Sequence, residues 1–382
     1  MLKTNALLVT ALFACCLDQN ADDGSAKHKQ STEAMVIDGP YVLYRNDSVF
    51  VKYVEDNSGV KSARTDSMPV TMKDKIILSV NTDEAGKTFS VVLKSKLTDE
   101  KSEYNGVKNM LVISDIEGNF TALRRLLQGN GVIDKDFNWT FEKNHLVLTG
   151  DFVDRGATVM EVLWLIYSLE EKAKAAGGYV HFILGNHEIM NMTGDLRYVH
   201  ERYSQHAAII NKNYMQLFGP DAEIGRWLAT KNIAERIGDI LFTHGGISSY
   251  VNQLKIPLKE INEISRPFYT DTTYEYKDNR LGVLFSDFGP FWYRGYYKDI
   301  PRATMAQIDS TLEFYGIRHI ATGHTIVAEN ISTLYKGRVI NTDVHHAEGH
   351  SEALLVEKGK FSRVNAAGEK FPVIQLKSSD GN

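Results

Sequence analysis

Cysteine is nearly missing from this 382-residue chain. The only two, Cys15 and Cys16, stand side by side near the N-terminus, so the body of the protein has none. That excludes a disulfide framework and every mechanism built on a cysteine nucleophile. A G-x-S-x-G elbow and a Walker-type glycine loop are missing too, which removes two common hydrolase and nucleotide-binding plans. Positive charge is not in excess: 43 Lys and Arg against 48 Asp and Glu give −5, so nucleic acid is not an expected partner. No repeat recurs at a period of about 20–50 residues. The apolar run Ala6–Ala14 is too short for a permanent bilayer span, which needs ~20 residues. What remains has the hydrophobic and charged balance of an ordinary globular chain, long enough for one large α/β domain or two smaller cores.

Lys3 precedes that short apolar run, so residues 1–15 read as a signal peptide and not as part of the fold. Its end, Leu12-Phe13-Ala14-Cys15, resembles a bacterial lipoprotein signal. The resemblance implies an exported protein in the periplasm or at the cell surface, lipid-anchored at Cys15 and meeting the membrane only there. An ordinary secretory signal or an unprocessed anchor are the alternatives. Residues 16–35 are polar, with few large apolar groups, and read as a disordered tether.

The texture then changes twice. Residues 36–108 hold short alternating stretches, Tyr41–Tyr44, Val49–Val54, Ile76–Val80 and Phe89–Leu93. Turn signals at Asn46-Asp47, Asn57-Ser58-Gly59 and Asp83–Gly86 separate them, which predicts a small β module ending in a charged connector. From residue 109 to 382, apolar runs alternate with helical patterns, such as Val159–Ala175 closed by Gly177-Gly178. That is the signature of an α/β domain. A helical insertion at about 190–235 carries Tyr203, Ala207, Ile210, Tyr214 and Leu217 at helical spacing; it reads as a cap over the site or as helices packed on the sheet.

The informative residues follow the apolar runs. They are Asp115-Ile116-Glu117-Gly118-Asn119, Gly150-Asp151-Phe152-Val153-Asp154-Arg155-Gly156, Gly185-Asn186-His187-Glu188, His244-Gly245-Gly246 and Gly323-His324-Thr325. Each alone has a plainer explanation. An Asp after a strand usually caps a helix, Asp154-Arg155 suits a surface ion pair, and a single histidine is usually a packed one. Five such endings in series outweigh those explanations, because strand ends share one sheet edge and their side chains converge.

The series resembles the calcineurin-like metallophosphoesterases, and within them the phosphoprotein phosphatase type. Leu184–Asn191, Gly289–Gly295 and Gly323-His324-Thr325 bring it nearest to the Shewanella-like phosphatases. The resemblance covers roughly residues 110–356 and implies an α/β sandwich with a dinuclear site at strand C-terminal ends. It assigns Asp115, Asp151 and the side chain at 117 to one metal ion, and Asp151, Asn186, His244 and His324 to the other. Two divalent ions about 3.5–4 Å apart activate water and stabilise phosphoryl charge. Mixed oxygen and imidazole donors suit Mn, Fe or Zn, with Mg also admissible. The reaction implied is phosphomonoester hydrolysis, a metal-activated water attacking phosphorus while His187, held by Asp154, acts as general acid. Arg155, Arg294 and Asn186 are the implied phosphate-binding groups.

One position breaks the family pattern. Histidine is usual where Glu117 stands; a glutamate there either replaces it as a ligand, favouring harder ions, or leaves the metal. His345, His346, Glu348 and His350 line the pocket or form a solvated loop, and the loop is the simpler reading. Tyr293, Tyr296 and Tyr297 read as packing more readily than as an aromatic rim. The implied substrate is a phosphorylated protein, on tyrosine or on serine and threonine. The alternatives are a small-molecule phosphatase, a dinucleoside polyphosphate hydrolase, or a binding protein with a degenerate site.

Overall fold

The computed structural model describes residues 34–299 and 301–377. The leader, Cys15, Cys16 and most of the tether lie outside the described residues. The chain begins with a meander of β1 (Met35–Arg45), β2 (Ser48–Asn57) and β3 (Val60–Pro69), followed by a hairpin of β4 (Ile77–Asn81) and β5 (Thr88–Val92). The first turn is two residues, Asn46-Asp47, with Asn46 left-handed; the second pairs left-handed Ser58 with Gly59. Such turns match the twist of a hairpin. Strand β3 was not expected, and its reason is plain: nearly every residue in it is exposed, so an edge strand left no apolar alternation to read.

Two mixed sheets follow. After the short β6 (Glu103–Tyr104) come β7 (Asn109–Ile113), α1 (Phe120–Gly129), β8 (His145–Leu148), α2 (Val159–Ala176) and β9 (Tyr179–Phe182). Strands β7, β8 and β9 pair in parallel. Helices α3 (Asn186–Thr193), α4 (Glu201–Ile209) and α5 (Glu223–Leu228) precede β10 (Ala234–Ile237) and β11 (Ile240–Thr243). Further helices occupy much of residues 249–315, and the chain closes with β12 (His319–Thr322), β13 (Ser332–Leu334), β14 (Val339–Asn341), β15 (Glu352–Glu357), β16 (Lys360–Asn365), β17 (Lys370–Pro372) and β18 (Ile374–Gln375). One sheet runs β17-β16-β15-β7-β8-β9, the other β18-β13-β14-β12-β11-β10-β6.

The sheets pack face to face. Met110, Val112 and Val147 from one meet Phe242, Ala321 and Ile340 from the other in a separate apolar cluster. The alternate residues Leu111, Ile113, Leu146 and Leu148 join α1 and α2 in the larger core. Strands buried on both faces are continuous apolar runs, which is why β7 and β8 show so little polarity. Helix α2 is buried nearly all round, more than its expected amphipathic pattern, because the N-terminal module covers its outer face. Trp164 Nε1 donates to the Pro40 carbonyl at 2.8 Å, and Arg124 grips Asp83 through two 2.7 Å bonds. The module and the larger domain share one core. No helix among the described residues is long and apolar enough to cross a membrane.

Candidate active site

Three of the five strand ends turn sharply where the chemistry is expected. Asp115, Glu117, Asp151, Asp154, Arg155 and His324 all take left-handed backbone angles, φ from +49° to +69°. Each costs on the order of 1–3 kcal/mol for a side-chain-bearing residue, and such strain gathers at functional sites. Neighbouring glycines make the approach possible: a Cβ at Gly323 would run into Asp115 Oδ2, and one at Gly150 into Gly185 and His244 Nδ1.

The loops are pinned to one another. Asp115 N–H donates to Gly150 O (3.0 Å) and Glu117 N–H to Asp151 O (2.9 Å). Glu188, not singled out in the sequence, ties the set together. Its carboxylate accepts from the backbone N–H groups of Gly185 (2.7 Å), Asp151 (2.9 Å) and Phe152 (2.8 Å). Burial, with Asp151 nearby, pushes it up to about 7 against the pull of those three donors. Asn119 is the cap of α1, accepting from Ala122 N–H at 3.0 Å, so Asp115 is left free of that duty.

Asp151, His244 and His324 bring one donor atom each within 4.8 Å of the others, all three buried. His244 Nδ1 pairs with the Thr149 carbonyl at 2.7 Å, which leaves Nε2 at 3.0 Å from both Asp151 Oδ2 and Asn186 Oδ1. His324 Nε2 pairs with the Trp292 carbonyl at 3.0 Å, which turns Nδ1 inward. An imidazole whose second nitrogen is anchored on a carbonyl is the usual form of a metal-ligating histidine. Asp151 also accepts from the N–H of His187, in the first turn of α3, at 2.9 Å. Burial would raise its pKa, but His244 and His187 hold it well below the usual carboxylate range. For His244 the balance runs upward, burial being outweighed by Asp151, to about 9. Burial pushes His324 well down and lifts Asp115 to about 6.

His187 lies beside this group. Its Nδ1 is 2.6 Å from Asp154 Oδ2, and its Nε2 is 3.8 Å from Asp151 Oδ2. Asn191, a further residue the motifs did not single out, donates to Asp154 Oδ1 at 2.8 Å and fixes that carboxylate from behind. Burial works against a charged ring, yet Asp151 and the bond to Asp154 raise the His187 pKa. Arg294 donates to the His324 carbonyl and to Thr325 Oγ1 (3.0 Å), which holds its guanidinium at the cavity wall. Arg155 is half exposed, and its Nη1 donates to Glu117. Glu117 therefore faces an arginine in this structure and stands outside the Asp151–His244–His324 cluster.

Asp115, Glu117, Asp151, Arg155, His187, Arg294 and His324 line a cavity of about 410 Å³ that also includes Lys298, Ile326, Asp343 and residues 344–348. His345 and Glu348 do reach that wall, 3.4 Å apart; His346 is buried and pushed down to about 4, and His350 does not line the cavity. The insertion reaches the site through Tyr198, whose ring lies 5.1 Å from His187 and 5.4 Å from the Arg155 guanidinium. Its helices otherwise pack inward through Tyr203, Ala207 and Leu217. Tyr293, Tyr296 and Tyr297 are buried packing residues.

A family model described as calcineurin-like phosphoesterase matches residues 108–328. A solved cold-active protein-tyrosine phosphatase of a psychrophilic Shewanella species is similar at 36% identity and a TM-score of 0.79, covering 88% of this chain and 99% of that one. Coverage of that size cannot be reached without the N-terminal module. Shewanella-like protein phosphatase 2 of Arabidopsis thaliana is 24% identical over 66% of this chain and 75% of its own. Shewanella-like protein phosphatase 1 of Plasmodium berghei is 27% identical over 62% and 67%.

Proposed function

The chain belongs to the calcineurin-like phosphoesterases and is a phosphatase of that family, and from that premise we propose that it hydrolyses tyrosine phosphate monoesters with His187 as proton donor. The observation that carries the substrate class is the likeness, along nearly its whole length, to a protein-tyrosine phosphatase. The residues present fit a pair of divalent ions. Asp151, Asn186, His244 and His324 would hold one, and Asp115 with Asp151 the other; buried imidazoles anchored on carbonyls and carboxylates facing one cavity are the donor set such ions require. When bound, the ions polarise phosphoryl oxygens and lower the pKa of a water beside phosphorus.

The protein's own groups do the rest. Arg155 and Arg294 bind the non-bridging oxygens and turn the ester bond toward His187. His187 Nε2 gives its proton to the departing phenolic oxygen, and Asp154 keeps Nδ1 protonated and the ring in place. The raised pKa of His187 keeps that proton available near neutral pH. Turnover of phosphotyrosyl and phosphoseryl peptides, with and without added Mn²⁺, tests the reading. A kcat/KM at least tenfold higher on phosphotyrosine, abolished by chelator, is expected; equal rates on both peptides would remove the tyrosine assignment. Export and a lipid anchor at Cys15 rest on the leader pattern alone, and C15A should release the protein from the membrane fraction.

A further inference from the structure

Glu117 stands where the family pattern has histidine, and here it is paired with Arg155. Across the cavity is a carboxylate in the opposite condition. Asp343 lines the same cavity as Asp115 and Asp151 and is 5% exposed, yet its carboxylate has no hydrogen-bond or ion-pair partner among the described residues. The backbone puts it there. Strand β14 runs parallel to β12, and Thr342, just beyond it, donates its N–H to Thr322 O at 2.8 Å. The Thr342 hydroxyl reaches Ser114 Oγ at 3.1 Å, which clamps residue 343 beside the strand end that carries Asp115. Asp115 in turn accepts from His324 N–H at 3.2 Å. Burial, then Asp115 and Asp151, push the Asp343 carboxyl far above its ordinary range. Arg294 and Arg155 act on it from across the cavity, but a buried carboxyl without a hydrogen bond or a close ion pair is costly, and a bound cation would offset that cost.

We propose that Asp343 is a ligand of the metal ion held by Asp115 and Asp151, taking the place of the histidine absent at 117, while Glu117 holds Arg155 in position for phosphate. The assignment rests on the dinuclear phosphatase reading and deepens it. A site with three carboxylates selects a hard ion, Mn²⁺ or Mg²⁺, over Zn²⁺. Glu117 becomes a positioning residue. Its contact with Arg155 holds a side chain that stays half exposed, and the negative charge is answered on the spot. Arg294 and Arg155 both act on Asp343, but neither pairs with it within ion-pair distance: Arg294 Nη1 bonds His324 and Thr325, and Arg155 Nη1 bonds Glu117.

The test is calorimetric titration of metal-free protein with Mn²⁺, together with thermal melts in chelator and in Mn²⁺. Wild type and E117Q should bind two equivalents and D343N one. In chelator D343N and wild type should melt alike; in Mn²⁺ D343N should melt below. A residue kept only for packing or an ion pair would not produce a difference that appears only with metal. Restoring histidine in E117H/D343N should return the second equivalent. Two equivalents at wild-type affinity in D343N would overturn the assignment, as would loss of one equivalent in E117Q. Wild type that binds no metal would overturn both the assignment and the dinuclear reading beneath it. If D343N does not fold, D343E takes its place: a second dissociation constant weakened at least tenfold supports the role, and an unchanged one overturns it.

Discussion

Charge is buried in two regions of this protein, and they are built to opposite rules. Along the seam where β9 meets β10, every carboxylate is answered. Glu170 accepts from Trp227 Nε1 (2.9 Å), Lys231 Nζ (2.7 Å) and Lys94 Nζ. Glu100 accepts from Lys231 Nζ (2.8 Å) and the Tyr179 hydroxyl. His145, His181 and Glu235 run in a chain of 2.7 and 2.8 Å contacts. At the strand ends most of the polar groups instead line a cavity, much of the backbone is left-handed, and Asp343 has no hydrogen bond or ion pair among the described residues. Burial of charge does not by itself mark chemistry. Unspent valence facing a cavity does.

Glu161 in α2 sharpens the distinction. Its Oε2 also lacks a hydrogen-bond partner, but it is not among the residues lining the cavity of Asp115 and Asp343, and burial next to Asp38 pushes it up to about 7. Burial raises both carboxyls, but only Asp343 lines the cavity shared with Asp115 and Asp151, where a cation could enter.

Substitutions at the two regions should separate activity from stability. The largest effect is expected for His187→Asn, a loss of about 10²–10⁴-fold in kcat with little change in the unfolding midpoint. Steady-state kinetics beside a thermal melt reads both, and full turnover in the variant would end the proton-donor role. The counterpart at the seam is Lys231→Met. It leaves Glu100 with hydroxyl donors alone and Glu170 one cation short, so denaturant unfolding should show a loss of about 3–5 kcal/mol, with kcat of the folded fraction retained. Arg155→Ala comes next: loss of charge-assisted bonds of roughly 1.5–3 kcal/mol should lower kcat/KM about tenfold to a hundredfold, and weaken inhibition by inorganic phosphate in parallel.

The smallest effect depends on pH. A Glu161 raised in the fold to about 7 keeps a proton that the unfolded chain releases near its ordinary value. Native protein therefore holds more protons through that window, and stability falls as pH rises through it. Glu161→Gln should match wild type near pH 4 and exceed it above pH 7, by on the order of 1–3 kcal/mol. Parallel stability curves for the two proteins at both pH values would show that Glu161 is charged in the fold after all.

Much of this was legible in the chain. The Gly-Asp-x-x-Asp-Arg-Gly and Gly-Asn-His-Glu strings carry their spacing with them, because each is a single loop whose geometry is local. The ending of α2 at Gly177 and the turns of the N-terminal hairpins are local in the same sense. Strand β3 was hidden, since an exposed edge strand has no periodic apolar face. Glu188 was in view but mute: its three backbone partners come from two loops, and no spacing announces them.

What the sequence by itself determined is the chemistry available. The absence of cysteine from the body removed one class of phosphatase mechanism, and five strand-end motifs supplied acids, imidazoles and arginines of the right kind. What only the tertiary structure decided is which valences are used up. Glu117 and Arg155 are 38 residues apart, and Asp343 is more than two hundred from Asp115. Whether a carboxylate meets an arginine or an open cavity depends on how the sheets stack and how parallel strands align their ends. Those are long-range packing outcomes, and no local pattern of residues encodes them.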